Sequence, residues 1–459
     1  MLEKLFKLKE HKATVKTEIV AGITTFMTLA YILAVNPQLL GNTEGAAMNI
    51  QAVLIATALA SFVGCLMMAL LANYPFALAP GMGLNAYFSF TVCGAMGYSY
   101  EVALFAVFCE GIIFIILSLT NVRQAIFNSI PMAIKNAVSV GIGLFIAFIG
   151  ATGANLIVND ETTLVTYQGF NSGEYHTYGI TAALALLGII ITSLMLIKKI
   201  KGAILYGIII TWGLGIICEL TGLYIPDVSI SMYSLIPDFS KGIGFGEFGK
   251  LFGDVFGFDF NEVKVLDLIV VIFAFLFVDL FDTIGTLIGV ANKADMLDEK
   301  GKLPNIKGAL TADAIATTFG AVFGTSTTTT CVESAAGVSE GGKTGLTAVT
   351  TGILFLLSIF LSPIFVAIPA FATAPALIIV GFLMIGSVTK INFDDMLEAI
   401  PAFLTIIVMP FSYSISEGIA AGIISYTILV LLAGKAKEKK LSVLMYILTV
   451  VFVLKYILL

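Results

Sequence analysis

Apolar runs of about twenty residues, each long enough to cross a bilayer, follow one another along almost the whole chain. No other feature restricts the fold so strongly. Of 459 residues, 58% are apolar and only 12% are Asp, Glu, Lys or Arg. A soluble domain carries about 25% charge to wet its surface. A mean hydropathy of +1.02 agrees. Soluble enzymes, nucleic-acid binders and disordered chains are therefore excluded. The expected fold class is an all-α polytopic membrane protein. The net charge of −6 says less than where the charges sit.

Fourteen such segments lie near 17–37, 51–73, 76–95, 100–120, 131–154, 178–197, 203–224, 266–291, 308–324, 326–342, 345–368, 371–389, 396–413 and 416–434. With the N-terminus (1–16) cytoplasmic, the loops after even-numbered segments hold nearly every basic cluster. These are Arg123 and Lys135; Lys198, Lys199 and Lys201; Lys293, Lys300, Lys302 and Lys307; Lys343; Lys390; and Lys435, Lys437, Lys439 and Lys440. The 155–177 loop has Asp160, Glu161 and Glu174 and no Lys or Arg, and the 225–265 loop has six acids and three Lys. Basic residues stay on the cytoplasmic side. The pattern predicts a multi-pass protein of the cell membrane. The run that starts near Glu18 is too long for a signal-peptide core, so insertion is expected to begin from segment 1. The last run, 441–459, either crosses, placing Lys455 near the outer face, or lies along the cytoplasmic interface. The interfacial or peripheral reading is preferred, because fourteen segments complete the architecture.

Seven segments precede the long loop and seven follow it. An odd number reverses the second half, which is the arithmetic of an inverted repeat. The third segment of each half is broken. Segment 3 contains Ala79-Pro80-Gly81-Met82-Gly83, and segment 10 opens Ser326-Thr327-Thr328-Thr329-Thr330. Pro80 cannot continue a helix, and a β-branched run suits a strand. Such backbone survives at membrane depth only where it lines a cavity or pairs with protein. Each segment is expected to be a short strand leading into a half-helix, the two crossing near the midplane around a transport site.

Charged groups inside spans mark function. Asp279 and Asp282 lie mid-segment at i and i+3 on one helix face, with no nearby Lys or Arg. Asp282 could instead bond to the backbone of a broken segment. Glu333 sits where the second strand should turn into its half-helix, as a site residue or a cap. Asn85 is its counterpart in the first half. Glu110 suits a structural bond as well as transport, and Asp313 and Glu340 are placed near membrane edges. A carboxylate accepts two hydrogen bonds side by side, which matches the adjacent N–H donors of a nucleobase edge. Coupling to protons is a further expectation. Cys65, Cys93, Cys109, Cys218 and Cys331 fit no zinc or redox spacing and read as buried small hydrophobes. No metal or cofactor is expected.

Several stretches carry a resemblance. They are Asn36-Pro37, Ala79-Pro80-Gly81-Met82-Gly83-Leu84-Asn85-Ala86-Tyr87-Phe88, Asp279-Leu280-Phe281-Asp282-Thr283-Ile284-Gly285-Thr286 and Thr328-Thr329-Thr330-Cys331-Val332-Glu333-Ser334-Ala335-Ala336-Gly337. The chain resembles the AzgA-like purine permeases of the nucleobase–cation symporter-2 group. The uracil and xanthine relatives place Gly three residues after a Gln or Glu in segment 10, whereas here Gly337 comes four after Glu333.

The resemblance implies two inverted seven-segment repeats of the uracil-permease type. A core (17–120 and 266–368) would move against a gate (121–224 and 369–434) in an elevator-like cycle, leaving 225–265 as the external loop and 435–459 as a linker and terminal helix. It implies import of adenine, guanine or hypoxanthine by proton symport. Asp279 and Glu333 would hold the base and Asn85 would support it, with Gly83, Ser334 and Thr330 beside it. Asp282, Thr283 and Glu333 would serve proton coupling. The expected partners are a purine, protons and lipid, with no nucleic acid. A homodimer is also compatible.

Three other readings rank below. Gly337 to Thr344 matches G-x-x-x-x-G-K-T, but a phosphate-binding loop needs a soluble strand before it, and this run joins two membrane segments. Paired aspartates beside Pro375-Ala376-Leu377 suggest an intramembrane protease, yet both acids lie on one helix. An anion transporter of the same fold would normally lack acids facing its site.

Overall fold

The computed structural model describes residues 2–119, 130–160, 162–168, 175–227, 232–258, 263–293, 296–297 and 303–458. Arg123, Glu161, Glu174, Lys300 and Lys302 lie outside the described residues. The described residues are mostly helical, with two short strand pairs, and elements fall in the expected order. Among the described residues, nine helices are long and apolar enough to cross a membrane, from Val15–Leu40 to Ile415–Leu432. Several helices start on polar caps: Thr14, Asn49, Asn305 and Ser414 each accept the N–H of the third residue onward. That satisfies donors which lipid could not.

The broken segments take the expected form. Leu78–Pro80 and Thr328–Thr330 are strands, paired antiparallel with Leu78 opposite Thr330 and Pro80 opposite Thr328. Each leads into a short helix, Met82–Ala86 in one case and Ser334–Ser339 in the other. Antiparallel pairing is what inverted halves would give. Helices Met132–Gly153 and Ala370–Ile385, the fifth segments of the two halves, meet through glycine in the same reciprocal way. A Cβ on either Gly143 or Gly381 would collide with the other's carbonyl oxygen. Without a hydrophobic drive between helices in lipid, small residues supply close packing.

The terminal helix Val443–Leu458 packs on the outside of the last helical hairpin. Lys439, just before it, pairs with Asp395 and with Glu398 (2.8 Å) where helix Met396–Phe411 begins. That bond holds the Asp395 carboxyl below the usual carboxylate range. At the far end, Tyr456 donates to Glu417, where helix Ile415–Leu432 begins after the turn. The terminal helix therefore runs the length of this hairpin, with Met445, Leu448 and Phe452 buried. One face is covered by protein, while Val443, Ile447, Val450 and Ile457 on the other stay exposed. The side chain of Lys455 is not described.

Candidate functional site

The strand pair is completed at both ends. The Gly81 N–H donates to the Thr327 carbonyl (3.0 Å) and the Cys331 N–H to the Ala77 carbonyl (2.9 Å). The Ala77 N–H donates to Ser334 Oγ at 2.9 Å. Ser334 therefore holds the first strand in place, and its hydroxyl accepts from backbone. Glu110, buried, accepts from the Thr327 hydroxyl at 2.6 Å. The structural bond foreseen for Glu110 is present, and it anchors the start of the second strand.

Glu333 is the N-cap residue of Ser334–Ser339 but makes no side-chain capping bond. Its Oε1 instead accepts the Tyr31 hydroxyl at 2.7 Å. Tyr31 lies in a break in segment 1, between helices Val15–Leu29 and Ile32–Leu40. Glu333 is half-buried, and its neighbour Val332 is 55% exposed. Open space therefore adjoins this strand-to-helix turn. Asp282 is also half-buried and interacts electrostatically with Glu333 and Asp313. A Cβ on Gly81 would lie 3.5 Å from Asp282 Oδ2. Asp282 thus sits close to the first broken segment. Among the described residues, neither Asp282 nor Glu333 forms an ion pair with Lys or Arg. Two acids without a basic partner would be costly against lipid.

Asp279 belongs to a different layer. It is fully buried, and the Thr283 hydroxyl lies 2.8 Å from Asp279 Oδ1, 2.9 Å from Asp313 Oδ1 and 2.8 Å from Thr329 Oγ1. One hydroxyl has one proton to give, so these oxygens need a further proton to bond together. This cluster ties helix Val265–Lys293 and helix Ile306–Phe323 to the second strand. Asp313, two turns into a helix that begins at Ile306, is fully buried in this cluster. Glu340, partly exposed, pairs with Lys201.

Asn85 and Thr330 are buried at the strand pair. The Asn85 Oδ1 contacts Ser326, and neither Asn85 Nδ2 nor Thr330 Oγ1 has a hydrogen-bond partner among the described residues. Asn85 and Glu333 lie at opposite ends of the crossing. Gly83 faces away from both: its missing side chain makes room for Ile142, 2.6 Å from the Cβ position. Two polar residues escaped the sequence reading. Tyr31 carries no charge and looks like any aromatic in a span. Glu18 seemed only to mark where segment 1 begins. Fully buried, it accepts from Lys343 N–H (3.0 Å), Thr344 N–H (3.2 Å) and the Thr347 hydroxyl (2.6 Å). The G-x-x-x-x-G-K-T run thus gives its last amides to a carboxylate, not to a phosphate. Among the described residues, no cluster suits a metal ion.

A family profile described as "Permease family" matches residues 16–421. The chain is 47% identical over 457 residues to a putative permease of Methanocaldococcus jannaschii, covering 99% of this chain and 98% of that one. It is 45% identical over 439 residues to a guanine/hypoxanthine permease of Bacillus subtilis (95% and 96% covered). It is 40% identical over 458 residues to an adenine permease of Escherichia coli (100% and 96% covered). Among solved structures, the transmembrane domain of the cyanobacterial bicarbonate transporter BicA superposes with a TM-score of 0.60. It covers 89% of this chain and 97% of that one, at 14% identity, and so speaks to fold alone. The protein is a multi-pass membrane transporter and not an enzyme. It belongs to this permease family, in the AzgA-like branch that its motifs resemble.

Proposed function

We propose that this protein imports purine nucleobases across the cell membrane by proton symport, from a site at the strand crossing. The observation that carries the reading is Glu333: a half-buried carboxylate at a strand-to-helix turn, beside Asp282 and open space, with no basic partner among the described residues. Such a pair suits a neutral ring rich in N–H donors. Relatives with 40–45% identity that are named for adenine or for guanine and hypoxanthine support the same class. In this reading Asp282 and Glu333 meet the base. Asp279, Thr283 and Asp313 form a buried layer behind them that takes part in proton coupling. Asn85 and Thr330 supply the neutral polar groups. Fourteen crossings, inverted halves, a cytoplasmic N-terminus and a core moving against a gate remain part of the proposal.

The test is uptake of labelled adenine, hypoxanthine, guanine and uracil at two external pH values, in wild type and Glu333→Gln. The expected result is purine uptake that rises at acid external pH and falls at least tenfold in the variant. Equal uptake in both proteins would remove Glu333 from the site. Accumulation unchanged when the pH gradient is dissipated would remove the proton. Competition by bicarbonate or sulfate, with none by purines, would favour an anion transporter.

A further inference from the structure

We propose that Tyr31 is the positioning residue of the site: its hydroxyl holds the Glu333 carboxylate in the orientation that receives the base. The proposal rests on the reading of Glu333 as a ligand-binding group. Its observations are separate from the motifs that led to Glu333.

The first observation is the bond. The Tyr31 hydroxyl donates to Glu333 Oε1 at 2.7 Å across two elements 302 residues apart in sequence. A buried tyrosine hydroxyl needs a partner, and Tyr31 is 2% exposed. In an apolar segment Phe would fill the same volume without that need. The chain uses Phe 35 times and Tyr 15 times, so an aromatic with a hydroxyl at this position calls for a reason, and Glu333 supplies it.

The second observation is that little else fixes Glu333. It makes no capping bond to its own helix. Val332 points into open space, and Ser334 turns inward to Ala77. A glutamate at such a turn has three torsions to settle. A carboxylate offers about four lone-pair positions. Tyr31 and the Glu333 backbone N–H engage part of these, and the rest are open to ligand N–H groups.

The third observation is the backbone at Tyr31. Segment 1 is interrupted there, with one helix ending at Leu29 and the next starting at Ile32. Ala30 and Tyr31 keep right-handed helical backbone, so the hydroxyl is presented from a short turn held between two helices. Preorganising a binding group in this way gains affinity by lowering the cost of ordering it.

The experiment is a double-mutant cycle on the purified full-length protein, read as the dissociation constants of adenine and hypoxanthine by calorimetry. Tyr31→Phe is expected to weaken binding about tenfold, the effect of losing a hydrogen bond to a charged group. In Glu333→Gln, adding Tyr31→Phe is expected to change binding less than twofold. In uptake assays the same variant should raise KM and leave the maximal rate within about twofold. Tyr31→His, which keeps a ring N–H donor, is the second variant and should bind between wild type and Tyr31→Phe. If Tyr31→Phe binds like wild type, or loses the same factor in both backgrounds, Tyr31 does not act through Glu333 and the proposal fails. If Glu333→Gln itself binds like wild type, the underlying site reading fails instead.

Discussion

Thr283 shows at the scale of one residue how function and stability share atoms. Its hydroxyl joins Asp279, Asp313 and Thr329, all buried. Removing it would leave two buried carboxyl groups without their common link, and a buried polar group that loses its partner costs about 1–3 kcal/mol. Thr283→Val should therefore lower the unfolding temperature in detergent, whereas Thr283→Ser should stay near wild type. Equal melting of the two variants would show that the hydroxyl does not hold the cluster. This residue also marks what was legible in the sequence. Asp279, Asp282, Glu333 and Asn85 stood out because charge and amide are scarce in apolar segments. Asp313, five residues into an apolar segment, gives no sign in the sequence that it shares a hydroxyl with Asp279. Tyr31 gave no signal, since a phenol in a span is ordinary until its hydroxyl is seen to touch Glu333. Pattern reveals what is costly to bury, and contact reveals what makes it affordable.

The strand pair was the most legible element, because proline and a run of four threonines leave few helical options. Its tightness was not legible. At Gly81 a Cβ would stand 2.7 Å from Thr329 Cγ2, with Asp282 beside it. Gly81→Ala must push Thr329 away and strain the same cluster that Thr283 holds. Overpacking of this size costs about 1–3 kcal/mol, so the variant should melt lower and transport more slowly. The colliding atom is the threonine methyl, which serine lacks. Gly81→Ala combined with Thr329→Ser should recover most of the lost melting temperature, measured by fluorescence or size exclusion after heating. No recovery would mean that the backbone at Gly81, and not the methyl, sets the limit. The terminal helix teaches the opposite lesson. Its apolar length names no packing partner, and only the side-chain contacts at both ends, through Lys439 and Tyr456, show which hairpin it lies against.

For the whole molecule, the question is which contacts must break if a core moves against a gate. The two half-helices are unequal in this structure. Around Gly83 the first is sealed against Ile142 and Ile415, while beside Glu333 the second borders open space. Where the second ends, Glu340 pairs with Lys201, which lies in the turn between helices Ile180–Ile197 and Ala203–Leu220 of the proposed gate. Toward the opposite ends of the segments, the Thr91 hydroxyl donates to the Tyr413 carbonyl at 3.2 Å. A rigid-body shift of the core cannot keep both contacts. The Lys201 and Glu340 side chains are 55% and 26% exposed, and such pairs contribute about 1 kcal/mol or less. That is too little to decide the fold, yet enough to change the ratio of two conformers by up to about fivefold. Glu340→Lys should thus lower the uptake rate two- to fivefold at low ionic strength without changing the melting temperature. The deficit should shrink at about 1 M salt, where screening acts within about 3 Å. Swapping the charges, Lys201→Glu with Glu340→Lys, should restore the rate. If the swapped protein is as slow as the single variant, the pair is a surface contact with no part in the cycle.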